Sequence, residues 1–184
     1  MAKLLTVLSL FSLVSIPAWA EDFRDAKFGM SPQEVRATEE GADWVTPEED
    51  VLAFDTKLAG YDVSAGYIFV DERLVRAAYF MTEEHQNDND YLSDFEYLNG
   101  LLTKKYGKPK KKKTRWMDDR WKDSPAYYGH ALSQGDFSKY SEWKTKTTLI
   151  THSIYGEDYV IIHRIDYESL EMPDVEEEKV LDDL

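Results

Sequence analysis
The sequence predicts an α+β protein built from two helix-plus-antiparallel-meander units in one compact domain. Three observations carry this. Two segments have the capping and stop residues of helices, each is followed by runs of apolar and polar residues in alternation, and Gly or Asp-Glu turns punctuate those runs.

The first 20 of the 184 residues read as an export leader. Lys3 supplies a positive start, Leu4 to Ile16 form an apolar core, Pro17 breaks it, and Ala18-Trp19-Ala20 is a small-x-small cleavage pattern. The apolar run falls short of the ~20 residues that span a bilayer, so cleavage after Ala20 is expected rather than anchoring. This leaves one domain over residues 21–170, with halves of about 21–84 and 85–170, and a disordered acidic tail over 171–184 holding seven acids and one lysine.

Within the first half, Ser31 can cap a short helix, with Pro32 at its first position, Glu34 closing a capping box and Met30 stapling onto Val35. Gly41 stops it after Glu39 or Glu40. Strands are expected at Val51 to Lys57, Tyr61 to Val70 and Leu74 to Met81; Tyr61, Val63, Ala65, Tyr67 and Phe69 share one parity and so one buried face.

The second half opens with a longer helix, about Asn89 to Tyr106, because Leu92, Phe95, Leu98, Leu102 and Tyr106 recur every three or four residues. Gly107 ends it and Pro109 prevents a restart. Strands are then expected at Lys112 to Met117, around Tyr128 to Gln134, at Glu142 to Tyr155 and at Tyr159 to Tyr167, the last two forming a hairpin about Gly156-Glu157-Asp158. If Ile150 and Ile154 share the core face with Ile161 and Ile165, then His152 and His163 project from that face as well.

Composition excludes several functions. With 36 acids against 22 Lys and Arg, a net charge of −14 repels nucleic acid. The absence of cysteine removes thiol nucleophiles, thiolate metal sites and a lipid-modified cysteine after the leader. Together with the leader it points to a soluble protein of the periplasm or outside the cell, with no membrane span or lipid anchor.

Against this acidic background, Lys104 to Arg115 holds eight cations and no acid. Lys110, Lys111, Lys112, Lys113, Arg115 and Trp116 are the candidate binding residues, suited to an anionic surface or to the protein's own tail; an edge strand guarded by lysines is the alternative. His152 and His163 offer two nitrogen ligands that Glu157, Asp158 or Asp166 would have to complete. His85 to Asp90 has oxygen ligands at calcium-like spacing but lacks the EF-hand glycine and glutamate, and Asn89 or Asp90 suits a helix cap. No nucleophile elbow, Ser-x-x-Lys or phosphate-binding glycine loop occurs, so no catalytic residue and no cofactor are assigned.

Phe23-Arg24 ahead of Phe28-Gly29-Met30-Ser31-Pro32-Gln33-Glu34-Val35, then Tyr67-Ile68-Phe69, then Leu102 to Pro109 with Trp116 and the Trp143 to Ile150 strand, resembles a group of small exported bacterial proteins without an assigned function. More remotely, the helix-then-meander order is similar to the lipoprotein small protein A, and its doubling to the β-lactamase inhibitor protein, both non-enzymatic binding scaffolds. The chain lacks the lipid-attachment cysteine of the first and the disulfide cysteines of the second, so the resemblance implies fold rather than function. The expected role is a non-catalytic binding protein whose partner is an envelope protein or an anionic envelope component; the alternatives are a carboxylate-dependent envelope hydrolase and a metal-binding protein using His152 and His163.

Overall fold
A computed structural model describes residues 22–172, so the leader lies outside the described residues, as does the acidic tail apart from Glu171 and Met172. The helix α1 (Pro32–Thr38) is followed by strands β1 (Val51–Leu58), β2 (Tyr61–Val70) and β3 (Arg73–Met81), then by the helix α2 (Asp88–Tyr106). Next come β4 (Lys111–Trp116), a 3-10 turn at Pro125–Tyr127, the helix α3 (Tyr128–Ser133), β5 (Phe137–Lys144), β6 (Thr148–Glu157) and β7 (Val160–Ser169). Among the described residues the seven strands form one antiparallel sheet in the order β1-β2-β3-β7-β6-β5-β4. The α+β class and the two meanders are therefore as expected, and the meanders share one continuous sheet through the β3–β7 pairing.

Local chemistry sets the element ends. Ser31 accepts from the Glu34 amide and Glu34 accepts from the Ser31 amide, so the capping box is complete. The cap of α2 is Asn87 rather than Asn89 or Asp90: its side chain accepts from the Asn89 amide at 3.1 Å. Three of the hairpin turns each place two residues at positive φ, at Ala59-Gly60, Asp71-Glu72 and Asp158-Tyr159, which matches the twist of the flanking strands.

Three expectations are corrected in the second half. Tyr128 to Gln134 is helical rather than extended, and β5 follows it from Phe137. The stretch Glu142 to Tyr155 is two strands, because Thr145 folds back to bond Thr147 and Thr148. The β6–β7 turn lies at Asp158-Tyr159, with Gly156 inside the strand.

One face of the sheet carries the core. Phe23 packs on Tyr67, Tyr79 and Tyr167 at 4.7–5.2 Å between ring centres, and covers the junction of the two units. Trp143 is fully buried beneath the end of α2 and donates its indole N–H to the Gly107 carbonyl at 2.9 Å. A second cluster of Phe95, Ala131, Leu132, Phe137 and Ile154 holds α2 and α3 to the far strands. No helix among the described residues is long and apolar enough to cross a membrane.

Candidate functional site
The covering layer divides at the junction of the two units, and a cavity of about 400 Å³ opens there. Its floor is Tyr79 of β3 with Ile165 and Tyr167 of β7. α2 forms one wall through Leu98, Leu101, Leu102, Lys105 and Tyr106; the other is Phe23, Arg24 and the β1–β2 turn at Leu58 and Ala59. The volume falls in the ~300–1,000 Å³ range typical of small-molecule sites, and an apolar lining with a few converging polar groups is their usual chemistry.

The polar groups are ordered by a network behind the wall. Arg24 donates to Glu39 through Nε at 2.5 Å and through a terminal nitrogen at 2.9 Å, and that pairing holds the guanidinium charge above its already high pKa. Tyr67 donates to the same carboxylate at 3.2 Å. Burial pushes the Tyr79 and Tyr167 phenols up, so both remain protonated donors. Lys105, at the rim, lies 5.1 Å from the Tyr106 ring and has no carboxylate partner among the described residues. Asp22 accepts from the Thr147 and Thr148 hydroxyls and the Phe28 amide, so its oxygens face inward bonds rather than a ligand.

No family model, curated protein or solved structure matches the chain. What the protein binds is therefore read from its own side chains.

The expected binding residues divide. β4 is the outermost strand of the second unit, and the side chains of Lys111 and Lys112 are drawn into ion pairs with Glu142 at 3.0 Å and Glu96 at 3.6 Å. Burial alone would raise the Glu96 carboxyl, but Lys139 and Lys112 outweigh it and hold it below the ordinary range. Trp116 stacks on Phe137 at 4.6 Å and meets Tyr128 edge-on, half-buried against the second cluster. Lys110, Lys113 and Arg115 have no ion-pair partner among the described residues, and Lys113 and Arg115 stay fully on the exposed side of the sheet edge.

The two histidines do share the core face. Their Nε2 atoms lie 2.8 Å apart in a direct hydrogen bond, with Phe95 stacked on His152 at 4.2 Å. Among the described residues no third ligand joins them: Asp166 points to the opposite face, paired with Arg164. The calcium-like loop is consumed structurally, Asn87 as cap and Asn89 as a clamp that accepts from the Gly129 amide and donates to the Ala126 carbonyl, both at 2.8 Å.

Proposed function
We propose that the chain is an exported, non-catalytic binding protein that holds a small amphipathic anion in the cavity between its two units. The leader and the absence of cysteine support a place in the periplasm or outside the cell. The observation that carries the binding reading is the cavity lining: leucines and ring faces for an apolar body, phenol donors on the floor, and one unpaired ammonium, Lys105, at the rim. A hydrolase needs two carboxylates converging on a substrate. Asp22 is the one carboxylate among the described lining residues, and its oxygens are already taken.

Dodecanoate is a suitable probe. Calorimetric titration of the native protein is expected to show saturable binding of one equivalent, lost in Leu101→Trp, which fills the cavity, and weakened about tenfold in Lys105→Glu. Equal binding by both variants would remove the cavity as the site.

The unpaired cations Lys110, Lys113 and Arg115 on the outer strand favour a second contact, with an anionic envelope component or an acidic face of an envelope protein. Converting the three to Gln is expected to abolish salt-sensitive retention on phosphatidylglycerol vesicles, measured by co-sedimentation at low and high salt. Unchanged retention would leave β4 as a solvated edge.

A further inference from the structure
We propose that Glu83, His85 and Asp94 form a binding site for one zinc ion, a function separate from the cavity and from the buried histidine pair. Glu83 and His85 lie in the loop between β3 and α2, and Asp94 lies early in α2. Their donor atoms all fall within 4.8 Å of one another, and His85 Nε2 stands 2.5 Å from Asp94 Oδ2. In tetrahedral coordination with bonds of about 2.0–2.1 Å, neighbouring donors sit about 3.3 Å apart. The His85–Asp94 pair has to open by under about 1 Å, and Glu83 has to close by up to about 1.5 Å. Because two of the three ligands ride on a connecting loop, these shifts leave the sheet and α2 undisturbed.

The chemistry of the donor set selects the metal. One imidazole and two carboxylates suit zinc among abundant divalent ions; calcium and magnesium prefer oxygen alone, and without cysteine there is nothing soft for copper(I). Two carboxylates also neutralise a divalent charge. Lys57, a cation within electrostatic reach of Glu83, commits its ammonium to Asp62 at 2.6 Å and so leaves the Glu83 carboxylate for the ion.

The surroundings hold the ligands in place. The Tyr61 phenol, pushed up to about 12 by burial and then by Asp94, stays a protonated donor beside that carboxylate, and Tyr91 accepts the backbone N–H of His85 at 3.1 Å while its ring meets the imidazole edge-on at 4.6 Å. Such outer contacts orient ligands and strengthen metal binding. All three ligands are half-buried, open enough for an ion to enter and sheltered enough to retain it.

The test is calorimetric titration of the chelator-stripped native protein with zinc chloride. One equivalent is expected to bind and to raise the melting temperature; His85→Ala and Asp94→Asn are expected to abolish both effects, and Tyr61→Phe to weaken binding about tenfold. His130→Ala, on α3, is expected to bind as the native protein does. No binding by the native protein, or binding retained in His85→Ala and Asp94→Asn, overturns the proposal. X-ray absorption of the zinc-loaded native protein decides independently of how the variants fold: one imidazole with oxygen neighbours is expected, and a shell with two imidazoles would overturn it in favour of His152 and His163. Neither readout depends on dodecanoate.

Discussion

Gly156→Ala is expected to destabilise the protein by about 3 kcal/mol or more, the largest effect of any single methyl group added to this fold. A Cβ at residue 156 would lie 1.8 Å from the Leu132 carbonyl oxygen and 2.8 Å from that of Ser133. Both are backbone atoms at the end of α3, so no rotamer relieves the clash. Relief requires α3 to lift from β6 by more than an ångström, which draws Ala131 and Leu132, both fully buried, away from Phe95, Phe137 and Ile154. The other end of α3 is equally tight, since a Cβ on Gly129 would meet backbone atoms of Asp88 and Asn89 at 2.3–2.4 Å. Neither glycine is needed for a positive φ; both permit close approach. Gly100→Ala is the matched control. It lies exposed in α2 with nothing within 4 Å of an added methyl, so helix propensity is expected to stabilise it by up to ~1 kcal/mol. Urea unfolding midpoints of the native protein and the two variants check this, and a native-like midpoint for Gly156→Ala would mean that α3 does not rest on β6 as described.

Gly156 also shows where sequence reasoning reached its limit. In the sequence it stands beside Glu157-Asp158 and reads as part of a turn, because the carbonyl that requires it belongs to a helix more than 20 residues away. The same limit misassigned α3. Tyr128 to Ser133 is six residues long, too short to display a helical period, and its helical state depends on the Asn89 clamp and the Leu132 contact. Elements whose signals are local were legible: the capping box at Ser31, the stop at Gly107, the alternation along β2 and the shared face of His152 and His163. The candidate site was not, because Arg24, Leu58, Tyr79, Leu101 and Tyr167 come from five separate segments that only the β3–β7 pairing brings together. Arg24 and Lys105 were visible as charges, yet nothing in their spacing distinguishes a cavity rim from a solvated surface.

Lowering the pH from 6.5 to 4.5 is expected to cost about 3 kcal/mol of stability through the His152–His163 pair, well before the carboxylates release theirs. The two rings are 0 % and 4 % exposed, and one Nε2 must donate to the other across 2.8 Å, which requires the accepting ring to be neutral, while burial disfavours charge on either. His152 Nδ1 has no partner, so the cheaper arrangement protonates Nε2 of His152 and leaves Nδ1 as a bare acceptor; His163 then accepts at Nε2. A further proton on His152 Nδ1 would bury a cation beside the Phe95 ring, and one on His163 Nε2 would set N–H against N–H. Burial pushes the His163 imidazole down to about 4, with Asp94 opposing and His85 reinforcing the shift; burial and then His163 hold His152 well below the ordinary 6.5. Because both folded values lie below the unfolded one, the unfolded chain binds more protons in this window. The contribution is complete above about pH 6.5 and is lost as the pH falls towards 4. A shift of that size in His163 corresponds to roughly 3 kcal/mol, and His152 adds in the same direction. Glu34 and Glu96, held below the ordinary carboxylate range, lose their contributions only as the pH falls below about 4.5, so the higher window belongs to the histidines. Urea midpoints measured across the window in chelator-treated buffer should therefore fall steeply for the native protein and stay nearly flat for the His152→Gln/His163→Gln variant, whose amides can still hydrogen-bond but cannot take up a proton. Parallel pH profiles for the two proteins would show that the pair is not the titrating element.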